Sequence, residues 1–212
     1  MTLEELLKEA AALAKPCVHL VEDSQFPFAA LWGGKSPIVA PATKSHHWVT
    51  MDRTLLPKDL AGSGCVAIFT DEDDEGYVRV DSNIRLQPNK TATSLYAQPS
   101  TSYPPLEAIF RFGSSAVDSW LKANNWERTW EYNDNFKDQA VTRPYEQFYQ
   151  SHTPLFLKGP YAQIGGWHMP WPAGDWDDLL SSNLVLWTFR DAEPWLEVWE
   201  SEGQYRVIAR IS

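Results

Sequence analysis

Two glycine pairs in the same local setting constrain this chain more than any other feature of it. Gly33-Gly34 follows the apolar run Phe26–Trp32 and precedes Pro37 and Pro41. Gly165-Gly166 follows Tyr161-Ala162-Gln163-Ile164 and precedes Trp167, Pro170, Trp171 and Pro172. In each place a strand-like stretch runs into glycine, which accepts left-handed backbone, and then into proline-rich aromatic chain. An acidic segment and a hydrophobic strand follow. The repetition predicts one domain with two pseudo-repeats, residues 17–86 and 107–212, joined by a polar loop at 87–105.

Periodicity fills in the elements. Leu3, Leu6, Leu7, Ala10 and Leu13 share one helical face, Thr2 and Glu5 have capping-box spacing, and Pro16 ends the helix. Cys17–Val21, Phe26–Trp32, His46–Met51 and Gly64–Thr70 are expected as strands, the last a continuous apolar run. Tyr77–Asp81 alternates and pairs with it through a hairpin whose loop is the acidic run 71–75. Glu107–Phe112 and Trp126–Tyr132 also look strand-like, while 115–124, 144–149 and 176–180 look helical, the last capped by Asp175. Three strands, Leu184–Phe189, Trp195–Trp199 and Tyr205–Ile211, close the chain, with Gly203 in the last turn. Strands dominate and β–α alternation is missing. The fold class expected is α+β, mostly antiparallel sheets with a few short helices, internally duplicated.

The charge is localised. The formal net charge is −10, of which residues 71–75 carry −5 and residues 167–212 another −5. So acidic a chain should not bind nucleic acid, because phosphate contacts need Lys and Arg. A basic protein partner suits it, and so does plain solubility. Eleven tryptophans add core volume and candidate interface anchors. Trp120, Trp187 and Trp199 sit in apolar patterns and are expected to be buried. Trp167, Trp171 and Trp176 sit among Pro and Asp and are expected to be more exposed. No apolar stretch approaches 18 residues, no secretory signal is visible, and Cys17 and Cys65 lie in apolar runs, so a reducing, cytoplasmic setting is expected, with no membrane contact.

Chemistry is harder to find. Asp71, Asp73, Glu75 and Gly76 match the start of a calcium loop, but its twelfth position is Ser82. His46 and His47 are adjacent and would point to opposite faces of a strand. Gly62-Ser63-Gly64-Cys65 lacks the nucleophile-elbow pattern. No metal, cofactor or catalytic residue is expected. Trp195, Glu197, Trp199 and Glu200 leave a second function class open, a small carbohydrate-binding or glycoside-processing protein.

The order of pieces resembles the YwqG-like family of uncharacterised bacterial proteins. The pieces are Leu31-Trp32-Gly33-Gly34-Lys35-Ser36-Pro37, then His47–Met51, Leu55-Leu56-Pro57 and Gly64–Phe69 before the acidic turn. Ile164-Gly165-Gly166-Trp167 and the closing strands match that family's second element and C-terminal hairpins. A departure is that Ala162-Gln163-Ile164 precedes the second glycine pair, whereas the family carries such a strand after the first. The resemblance implies a duplicated sheet-rich α+β fold without known catalytic residues. It also implies a role among bacterial immunity proteins, which bind one cognate toxin. The expected partner-binding residues are Asp71, Glu72, Asp73 and Asp74 in the hairpin, with Trp167, Trp171, Asp175, Trp176, Asp177 and Asp178 in the C-terminal loop.

Overall fold

The computed structural model describes residues 1–41, 44–73, 75–124, 140–153, 157, 159–168, 182–189 and 195–210. The expected strand at 126–132 and helix at 176–180 lie outside these residues. The chain divides into two compact units. One comprises Met1–Pro16, Thr101–Leu157 and Gly166–Leu180; the other comprises Cys17–Ser100, Lys158–Gly165 and Ser181–Ser212.

The first unit is helical. Helix α1 (Leu3–Leu13) starts at the predicted capping box, in which the Thr2 side chain accepts from the Glu5 N–H and Glu5 accepts from the Thr2 N–H. Thr2→Ala removes the first of these bonds. It is expected to lower stability by about 1 kcal/mol in urea denaturation, whereas Glu4→Ala beside it should cost less. Helix α2 (Leu106–Phe112) replaces the strand expected at 107–112. Leu106, Ile109 and Phe110 recur at helical spacing and are buried, and Pro105 opens the helix. Helices α3 (Ser115–Ala123) and α4 (Thr142–His152) complete a core around Leu6, Ile109, Phe110, Val117, Leu121 and Tyr145. Trp120 is only half-buried at its edge, against Phe110.

The second unit is one ten-stranded sheet. Its strands are β1 (Lys15–Val21), β2 (Phe28–Trp32), β3 (His46–Asp52), β4 (Cys65–Thr70) and β5 (Gly76–Asp81). They continue with β6 (Thr93–Ser102), β7 (Ala162–Gly165), β8 (Asn183–Thr188), β9 (Trp195–Ser201) and β10 (Gln204–Arg210). The order across the sheet is β10-β9-β8-β7-β1-β6-β2-β3-β4-β5. Within it, β2 to β5 and β7 to β10 are two antiparallel meanders. The sheet curls until its end strands nearly meet: a Cβ built on Gly76 of β5 would lie 2.2 Å from the Val207 Cβ of β10.

Strand β6 corrects the loop expected at 87–105. Its sequence is polar and contains Pro99, yet Leu95 is fully buried and Ala97 nearly so. Pairing on both sides, with β1 and β2, makes it central whatever its own propensity. Strand β4 is buried on both faces, as a continuous apolar run requires. Val66 and Ile68 join the main core with Leu20, Val49, Met51 and Val198, while Cys65, Ala67 and Phe69 pack beneath Ile38.

Each meander opens with a strand that runs into a glycine pair. Gly33 and Gly34 have φ of 62° and 61°, and Gly165 and Gly166 have 67° and 82°. Gly34 has a second constraint, since its Cβ would lie 1.8 Å from the Thr91 carbonyl oxygen.

Candidate functional site

The acidic hairpin and a ladder of aromatic rings meet at one rim of the sheet. Thr70 is the last residue of β4 and pairs with His46 at the start of β3. The Trp48 indole N–H donates to the Thr70 hydroxyl at 2.9 Å. Trp48 packs edge-on against His46 and Trp32, at centroid distances of 5.0 Å and 6.4 Å. Trp32 in turn meets Tyr161 edge-on at 5.5 Å, and the Tyr161 hydroxyl donates to the Glu22 carboxylate. Trp48 and Tyr161 are buried, Trp32 is half-buried, and His46 and Glu22 are exposed.

The hairpin leaves Thr70 directly into the acids. Asp71 builds the turn rather than presenting its charge. Its carboxylate accepts from the Asp73 and Glu75 N–H groups, at 3.0 Å and 2.9 Å, and from the Tyr77 hydroxyl at 2.8 Å. Those bonds, the tyrosine's first, hold the Asp71 carboxyl below its usual range. Asp71 and then Glu75 push the Tyr77 phenol up to about 12. Glu72 is exposed and ion-paired with Lys44 at 2.7 Å, and Asp73 and Glu75 are exposed. Asp74 lies outside the described residues.

The C-terminal candidates divide. Trp171, Asp175, Trp176, Asp177 and Asp178 lie outside the described residues. Trp167 is half-buried and used internally. Its indole N–H donates to the Leu13 carbonyl at 2.7 Å, its backbone N–H donates to Ser102, and the Lys15 ammonium sits 3.7 Å over its ring. Trp167 belongs to the helical unit, and the hairpin acids belong to the sheet unit. The structure offers instead Trp32, Trp48, Tyr161 and Glu22, which no local sequence signal groups.

His47, His19, Cys17 and Cys65 are all buried. His47 lies 2.9 Å through Nδ1 from the Gly33 carbonyl and 2.8 Å through Nε2 from the Thr50 hydroxyl, which contacts Ser36 at 3.0 Å. His46 points the other way and is exposed, as alternation requires. His19 Nε2 lies 3.7 Å from the Cys17 sulfur. Burial raises the Cys17 thiol to about 11 and lowers His19 to about 4, the reverse of a thiolate–imidazolium pair. Cys65, buried and beside Asp52 and Asp81, is likewise raised to about 11.

The two glutamates of the Trp/Glu cluster do different work. Glu197 is 1% exposed and accepts from the Trp199 indole at 3.2 Å. Glu200, three residues on and so on the opposite face, accepts from Asn183 and from the Gly203 N–H of the β9–β10 turn. Trp187 and Trp199 are buried, as expected. Among the described residues no group of three His, Cys, Asp or Glu is placed to hold a metal ion. None of the described helices is long and apolar enough to cross a membrane.

Comparison with protein-family models, with curated proteins and with solved structures finds no match to this chain.

Proposed function

We propose that this protein is a non-catalytic, cytoplasmic protein-binding module of the YwqG-like kind, an immunity protein that neutralises a toxin domain by docking its basic surface. The observation that carries this reading is the rim. Exposed Glu72, Asp73 and Glu75 stand beside an aromatic ladder, with Glu72 ion-paired to Lys44. Charge of this kind accelerates encounter with a basic protein, and aromatic rings supply the anchors that hold it. The buried, neutral state of Cys17 and His19 supports a role without nucleophilic chemistry.

Internal duplication belongs to the same proposal. Two features support it: a four-strand meander in each part of the chain, and a left-handed glycine pair ending the first strand of each. The flanking strands are exchanged, since β1 borders the C-terminal meander and β6 borders the N-terminal one.

The test is association with the partner co-purified from the native host. In one variant Glu72, Asp73, Asp74 and Glu75 become Gln or Asn; Asp71 is kept because it holds the turn. In a second, Asp175, Asp177 and Asp178 become Asn. The hairpin variant should associate about tenfold more slowly at low salt, and the difference should shrink as salt is raised. Unchanged rates in both variants would sink the electrostatic reading.

A further inference from the structure

Resting on that reading, we propose that Trp32 is the anchor of the docking rim and seats an arginine side chain of the basic partner. Three of the ladder's rings differ in what they leave available. The Trp48 N–H is committed to Thr70, and the Tyr161 hydroxyl is committed to Glu22. Trp32 is half-buried, and its indole N–H has no hydrogen-bond partner among the described residues. Tryptophan gives the strongest π face for a cation, and its free N–H suits a peptide carbonyl of the same partner.

The surroundings favour a cation. Tyr161, one edge of the Trp32 contact, ends on the Glu22 carboxylate; Trp48, the other edge, ends on Thr70, from which the acidic hairpin departs. Neighbouring rings fix Trp32, so little side-chain freedom is lost when a partner docks. Arginine fits better than lysine. Its planar guanidinium stacks on an indole while its fork still reaches a carboxylate, and it sheds water more readily than an ammonium. The protein's own Lys15, 3.7 Å over Trp167, shows a cation held on an indole elsewhere in the same chain.

The probe is a hexa-arginine peptide, titrated into the full ¹⁵N-labelled chain at low salt, with hexa-lysine and hexa-glutamate alongside. The Trp32 indole resonance is assigned from its loss in Trp32→Phe. It should shift in step with the amides of Asp73 and Glu75, hexa-arginine should bind about threefold more tightly than hexa-lysine, and hexa-glutamate should shift nothing. Trp32→Leu should weaken binding about tenfold, whereas Trp32→Phe, which keeps a ring face, should stay within about threefold. If Trp32→Leu does not fold, the wild-type titration and Trp32→Phe decide alone. A stationary Trp32 indole with moving hairpin amides overturns the anchor and leaves the basic-partner reading intact. No movement in either place overturns both.

Discussion

Gly34→Ala is expected to lose about 4 kcal/mol of stability, and Gly33→Ala next to it about 1–2 kcal/mol. The two glycines have nearly the same left-handed φ, 61° and 62°, so the backbone strain of adding a side chain is nearly the same. Their surroundings differ. Nothing lies within 4 Å of a Cβ at Gly33, whereas a Cβ at Gly34 meets the Thr91 carbonyl oxygen at 1.8 Å and its carbon at 2.4 Å. Those are backbone atoms just ahead of β6, and they move only if β6 shifts against β2. Urea denaturation of the two variants, side by side, measures the clash with the strain removed by subtraction. A difference under about 1 kcal/mol would show that the turn yields and that the close approach is not a constraint.

Acid is expected to destabilise this protein from about pH 6.5 downward, through His19. His19 is buried, and its pKa falls from 6.5 to about 4 for that reason, with only partial relief from Gln163. In the unfolded chain His19 takes a proton below about 6.5, whereas in the native chain it takes one only near 4. The stability this residue supports is therefore whole above 6.5, falls as the pH drops toward 4, and falls no further below that. The expected loss between pH 7.5 and pH 4 is about 3 kcal/mol. His47, also lowered by burial, adds to it in the same direction. Urea midpoints at a series of pH values, for wild type and His19→Gln, give the measurement. Parallel pH profiles for the two proteins would mean that His19 is not the source.

What the sequence disclosed follows from how local each signal is. Helix α1 was legible because Thr2, Glu5 and the leucine stripe lie within one short segment. Strand β4 was legible because a continuous apolar run, Cys65–Phe69, between turn residues admits few other structures. Helix α2 was hidden because Phe110 and Phe112 bracket Arg111 in an alternating pattern, which outweighed the Leu106, Ile109 and Phe110 face. Strand β6 was hidden for a different reason. Thr93–Ser102 carries few apolar residues, and its place is set by neighbours on either side rather than by its own preference. The rim shows the same limit. The hairpin acids were visible as charge, but Trp32 and Tyr161 are far apart in the chain and meet only through the sheet. Asp71 was grouped with the exposed acids because sequence shows the carboxylate and not the two N–H groups and phenol that occupy it.

The placement of β1 and β6 between the two meanders bears on the order in which this protein can be assembled as it leaves the ribosome. Strands β2 to β5 can zip together as soon as they emerge, but their inner edge on β2 stays open until β6 has been made. Strand β1 precedes β2 to β5 in the chain, yet it has no neighbour until β6 arrives and lacks its second until β7. Until β6 is made the nascent chain therefore displays two strands with unsatisfied edges, β2 and the apolar Cys17–Val21 segment of β1. A chain built this way is exposed to strand pairing with its neighbours on a polysome, and its yield in the cell should respond to holdase chaperones more than the stability of the finished barrel would indicate.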